Sequence, residues 1–254
     1  MNPIDELGKE FVEQTKYKNL KDSPQTMGSP YPLYLQDALE NTPKILLPKP
    51  EELIIPGYDL RKAIEERISI RRYSPEELTL EELSYLLWLT QGIKRIIPKN
   101  NITMRTVPSA GARHPFETWL SINRVKSIEP GLYHYLPSSH SLEQIRSGST
   151  VNEELTAATL GQKQIATGAV NFIWVAHPYR TSWRYSSRAY RYLYLDAGHI
   201  CQNLHLAAES IGCGVCAIGA YDDDAANALI GIDGVTQFVI YIASLGKKNI
   251  ETEE

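Results

Sequence analysis

Arg67, Ser69 and Arg71 stand two residues apart in the stretch RISIR. In extended chain, positions i and i+2 share a face. Two guanidiniums then flank a hydroxyl, a set that matches a phosphate. The same residues also suit a solvated basic helix end, where cations are favoured by the helix dipole. A second segment, TVPSAGARHPFE (residues 106–117), has no bulk over Ser109, Ala110, Gly111 and Ala112. Small residues let a flat ligand approach backbone N–H groups, and glycine permits unusual dihedrals. A tight turn into the following strand explains it equally well. A third, GCGVCAIGA (residues 212–220), leaves a long helix at a glycine and closes on Ile218, Gly219 and Ala220, where backbone groups can meet a ligand edge. Lys247 and Lys248, after the last strand pattern, can add charge to a phosphate site or form an exposed tail.

Other chemistries are poorly served. Cys213 and Cys216 have C-x-x-C spacing, but the pair leaves a helix rather than opening one, and no second pair exists for zinc. They read as structural thiols. Asp196, His199 and His205 share the long helix, yet the histidines are six apart rather than the four of a helical zinc pair. No metal site is expected. A G-x-G-x-x-G fingerprint, a P-loop and a serine-hydrolase elbow are all absent.

The elements that must position these groups can be read from periodicity. Residues 60–67 form a short helical pattern. Thr79 and Glu82 make a capping box; Leu83, Leu86, Leu87 and Thr90 then fall on one face, and Gly92 closes the helix. Residues 117–125 and 131–136 read as strands, and residues 151–158 as a helix. VNFIWVA (170–176) is the apolar run of a strand buried on both faces. Residues 187–211 carry the longest helical stripe, stopped at Gly212. A strand at 215–218, a helix at 223–230 and a last buried strand at 238–245 follow. The aromatic and basic stretch 179–185 reads as a loop. Interleaved helices and strands predict an α+β or α/β sheet with helices on its faces.

The chain has 254 residues with 43% hydrophobic and 22% charged residues, enough for a sizeable core. Eight of its 15 prolines lie within residues 1–56. That density disfavours long helices and central strands. Its apolar residues predict an extension packed on the body, or on a partner subunit, ahead of a main domain at 57–254. A net charge of −4 with no basic stripe argues against nucleic acid. Apolar runs fall well short of the roughly 20 residues of a membrane span. Three cysteines and an acidic, non-apolar start predict reduced thiols and a cytoplasmic address.

Together with the long helix, these segments resemble the FMN-dependent nitroreductase family, and within it the SagB-type dehydrogenases, the thiazole/oxazole oxidases of peptide maturation. The resemblance covers about residues 57–248. It rests on R-x-S-x-R, on TVPSAGARHPFE, on YRYLYLDAGHICQNLHLAAESIGCG, on IGAY and on the G-K-K end.

The resemblance implies a nitroreductase-like α+β sandwich: a mainly antiparallel sheet, flanking helices and a long helix at a homodimer interface. FMN would lie in a groove at that interface. Arg67, Ser69 and Arg71 would hold its phosphate and ribityl chain, helped by Lys247 or Lys248. Pro108, Ser109, Ala110 and Gly111 would lie along the isoalloxazine from the partner subunit, and Ile218, Gly219 and Ala220 would face its reactive edge. Many relatives have Asn-x-Gln-Pro where this chain has Ala112-Arg113-His114-Pro115; Arg113 is the candidate to replace the missing amide. His114, Arg184 and Tyr185 are candidates to contact substrate. The implied activity is hydride transfer through the flavin, fed by NAD(P)H or by a small-molecule or peptide substrate. A non-catalytic flavin-binding or flavin-processing relative is the alternative.

Overall fold

The computed structural model describes residues 3–36, 38–39, 42–98 and 102–249. In chain order the elements are α1 (Pro3–Gln14), β1 (Lys44–Leu46), α2 (Leu60–Glu66), α3 (Leu80–Gln91), β2 (Ile93–Ile97), β3 (Ile102–Arg105), β4 (Phe116–Ile122), β5 (Gly131–Leu136) and β6 (Ser141–Ser147). Then come α4 (Thr150–Ala158), α5 (Lys163–Thr167), β7 (Val170–Ala176), α6 (Pro178–Tyr185), α7 (Ala189–Glu209), β8 (Cys213–Ile218), α8 (Asp223–Ile230) and β9 (Phe238–Lys247). Among the described residues, seven strands form one sheet in the order β1-β6-β5-β4-β7-β9-β8, every neighbouring pair antiparallel. β2 and β3 pair separately. The architecture is α+β.

β7 is central and buried on both faces, and its side chains alternate between two cores. Phe172 and Trp174 pack with Leu83, Leu86 and Leu87 of α3 and Leu193, Ile200 and Leu204 of α7. Ile173 and Val175 face the other side, with Leu155 of α4, Ile165 of α5 and Leu229 of α8. The expected capping box is formed: Glu82 N–H donates to Thr79 Oγ1 at 3.2 Å, and Thr79 N–H donates to Glu82 Oε2 at 2.9 Å.

Two local expectations are corrected. Residues 179–185 are helical, not a loop. Pro178 supplies the first position, where its missing N–H costs nothing. The stretch lacks an apolar helical stripe because its support comes from the N-terminal segment, far away in sequence. Gln25 N–H donates to Trp183 O (2.8 Å), Trp183 Nε1 to Ser29 O (3.1 Å) and Arg180 Nε to Leu33 O (3.0 Å). Tyr31 packs on the Trp183 ring at 4.5 Å. The second correction is α1, a 12-residue helix within the proline-rich region. It begins at Pro3, again where proline is tolerated. Past its end, Thr15 O accepts from Arg188 Nη1 at 2.8 Å, and Tyr17 meets the Tyr192 hydroxyl at 3.2 Å.

Candidate functional site

The chain leaves α2 at Arg67 and becomes extended. Ser69 bridges Val215 of β8, and Ile70 N–H donates to Val215 O at 3.0 Å. This close approach depends on Gly214: a Cβ there would lie 2.5 Å from the Ile70 side chain. The segment then reaches the end of β9, where Tyr73 donates its hydroxyl proton to Ile70 O at 2.8 Å and Ser74 N–H donates to Lys247 O at 3.0 Å. Ser69 and Arg71 are exposed and Arg67 is half-buried. Among the described residues, the Arg67 and Arg71 guanidiniums have no carboxylate partner. The Arg67 charge still reaches α7: His205 is pushed down to about 4, by burial first and by Arg67 second.

The two lysines are differently placed. Lys247 pairs with Glu82 of α3, and Lys248 with Glu209 of α7. Their charge is already answered, whereas among the described residues Arg67, Arg71 and the neighbouring Arg72 have no carboxylate partner. β8 ends at buried Ile218, and Gly219 and Ala220 follow, exposed. A Cβ on Gly219 would meet nothing within 4 Å, so its backbone is open to an approaching group. Cys213 and Cys216 are buried in β8, and Cys213 is pushed up to about 12 by burial. A thiol of that kind is inert.

The small-residue segment lies elsewhere on α7. Ser109 Oγ donates to Asp196 Oδ2 at 2.7 Å, and Ala110 N–H donates to the same oxygen at 3.1 Å. Asp196 and His205 are nine residues apart on α7, about 14 Å along the axis. Within one chain, then, the arginine segment and the small-residue loop lie at two levels of the same helix, and no hydrogen bond or ion pair joins them among the described residues.

Gly111 is left-handed (φ 59°), and a Cβ there would lie 2.5 Å from the Tyr185 hydroxyl and 3.2 Å from Arg184 Cδ. The end of α6 is therefore brought onto this loop. Arg113 and His114 are buried, at 4% and 5% exposure. Arg113 sits 5.5 Å from the Trp183 ring. His114 is pushed down to about 3, by burial first and then by Arg105. It is neutral at ordinary pH and packs inward in this chain.

Asp196 is the residue that sequence reading passed over, having weighed it only beside the helical histidines. A signal was present: it follows Leu193 by three and precedes Ile200 by four, so an acid stands in the apolar stripe of α7. It is 4% exposed, and burial raises its pKa.

The profile of the Nitroreductase family matches residues 64–247. MJ1384 of Methanocaldococcus jannaschii, named as a candidate nitroreductase, is 33% identical over 208 residues, 82% of this chain and 98% of that one. The crystal structure of a candidate nitroreductase from Anabaena variabilis is 31% identical with a TM-score of 0.67, covering 83% of this chain and 42% of that one. The trifolitoxin-processing protein TfxB of Rhizobium leguminosarum bv. trifolii is 32% identical over 146 residues, 54% of this chain and 39% of that one. The chain thus spans less than half of the last two. With the antiparallel seven-stranded sheet, the flanking helices and the profile match over most of its length, the chain belongs to the nitroreductase family, whose α+β fold it has.

Proposed function

We propose that the chain is an FMN-dependent oxidoreductase. The observation that carries this reading is the pair of guanidiniums, Arg67 and Arg71, flanking the exposed Ser69 on extended backbone with no carboxylate among the described residues to neutralise them. Such a set suits a phosphate dianion. Walls for a flat ring are present too: small residues at 108–111, and the exposed Gly219 and Ala220 after β8. Their separation along α7 supports a homodimer in which each ring is contacted by both subunits.

When bound, FMN supplies hydride acceptance and delivery at N5. The chain supplies the rest. Arg67, Ser69 and Arg71 bind the phosphate, residues 108–111 and 218–220 orient the ring, and Arg184 and Tyr185 stand beside Gly111 to meet the substrate. The electrons come from NAD(P)H or from the substrate itself, in a cytoplasmic setting.

Within this reading, the likeness to TfxB supports the SagB-type branch, with a peptide as the oxidised substrate. The test is direct. Apoprotein is titrated with FMN, and the yellow complex is assayed with NADH, NADPH, and a panel of acceptors and thiazoline peptides. FMN uptake with turnover of one of these supports an enzyme. FMN uptake without turnover supports the non-catalytic alternative. Failure to bind FMN at all sinks both.

A further inference from the structure

The loop at residues 109–114 does not have a conformation that its sequence favours. Gly111 (φ 59°), Ala112 (φ 53°) and His114 (φ 43°) are all left-handed. Only the first is a glycine, and for residues with a Cβ this region is disfavoured. Two local hydrogen bonds, Ala112 N–H to Ser109 O (3.0 Å) and Arg113 N–H to Ala110 O (3.3 Å), are those of any short turn. They do not account for two strained positions. Such strain persists only where surrounding structure over-determines it.

The outside support comes from Asp196. Its carboxylate accepts from the Ser109 hydroxyl (2.7 Å) and from Ala110 N–H (3.1 Å), at the start of the loop. The same hydroxyl accepts from His114 N–H (2.9 Å), at its end. One buried carboxylate therefore ties both ends, one directly and one through a serine. The basic side chain recorded nearest to it is His199, one helical turn on, at 4.0 Å and half exposed. The carboxylate thus depends on the loop as much as the loop depends on it. Of the amides from Ala110 to His114, Gly111 N–H alone has no acceptor among the described residues.

We infer that Asp196 is a positioning residue, which holds residues 109–114 in their left-handed course and so presents the Gly111 amide to the bound flavin. This rests on the FMN reading above. In this role Asp196 touches neither ring nor substrate; it acts through Ser109 and the Ala110 amide.

The experiment uses full-length apoprotein titrated with FMN, the quenching of FMN fluorescence reporting Kd, and the reduction potential of the bound flavin measured in parallel. Asp196→Asn keeps the side-chain size but offers one acceptor oxygen instead of two. Ser109→Ala removes the relay from the loop side. Each is expected to raise Kd about tenfold, the size of one lost hydrogen bond, and to shift the flavin potential. The double variant is expected to be no weaker than the poorer single one, because both break one latch. Unchanged Kd and potential in both variants overturn the proposal. So do strictly additive losses, or a Kd that merely tracks apoprotein melting with the potential unmoved. If Asp196→Asn does not fold, Ser109→Ala decides by the same criteria. A wild type that takes up no FMN fails the flavin reading itself, an outcome visible before any variant is made.

Discussion

Glu117 on β4 and Arg180 on α6 meet at 2.6 Å, with side chains 2% and 6% exposed. The pair does more than balance charge. Glu117 also faces His134 at 3.2 Å, and Arg180 Nε donates to Leu33 O of the N-terminal segment. A buried ion pair thus joins the sheet, the helix beside the candidate site and the segment that packs on that helix. Arg180 and His134 hold Glu117 far below the usual carboxylate range, although burial alone pushes it up. Breaking such a pair strands a buried charge. Arg180→Met is expected to cost about 3–5 kcal/mol in denaturant melts, and Glu117→Gln with Arg180→Met less than the two single losses combined.

The arginines and lysines of the phosphate region should separate. Arg67→Ala or Arg71→Ala removes a charged donor that has no internal partner. Each is expected to weaken FMN binding by roughly 10- to 100-fold, with little change in melting temperature. Lys247→Ala and Lys248→Ala break pairs with Glu82 and Glu209, so they should lower stability more than affinity. Fluorescence titration beside thermal melts checks both. Arginine variants that bind FMN like the wild type would refute the clamp.

Acid should weaken the fold through His114. Its folded pKa is about 3, below its ordinary value of 6.5. Between those values the unfolded chain binds a proton that the folded chain does not, so stability rises with pH in that window and is lost as pH falls through it. Near pH 5 the loss from this residue is about 2 kcal/mol relative to pH 8. His114→Asn removes the titration, and asparagine tolerates the left-handed backbone. A pH profile of melting as steep as the wild type's in that variant would assign the effect to other groups.

Gly111→Ala should act on the site rather than on the core. The added methyl group meets the Tyr185 hydroxyl at 2.5 Å on backbone with φ 59°. Displacement of Tyr185 is expected to lower kcat at least about tenfold, the effect of misplacing a substrate-contacting group, while folding is retained. Steady-state kinetics with flavin content held equal gives the answer.

Removal of residues 1–36 should loosen α6. Trp183 loses Ser29 and Tyr31, and Arg180 loses Leu33 O. Faster limited proteolysis across residues 178–188, with the rest of the body still protected, is the expected result. Equal cleavage rates would mean that α6 stands without the segment.

What could be read from the sequence was local. The capping box of Thr79 and Glu82 involves partners three residues apart, so propensity and spacing are sufficient. β7 is an apolar run because a central strand is covered on both faces. α7 shows its stripe because the core lies along one side of it. The family's motifs likewise survive as short words in order, which is why the family and its α+β fold were legible.

Only the tertiary structure decided what depends on partners far apart in the chain. α6 was read as a loop because its hydrogen bonds come from residues about 150 positions earlier. Arg113 and His114 went inside because left-handed backbone turned the loop inward, which no propensity for alanine or histidine foretells. Lys247 was answered by Glu82, 165 residues away. Asp196 found Ser109 across 87 residues. Short-range propensity and periodicity are written in residue order; a buried charge is satisfied by whatever the fold brings to it.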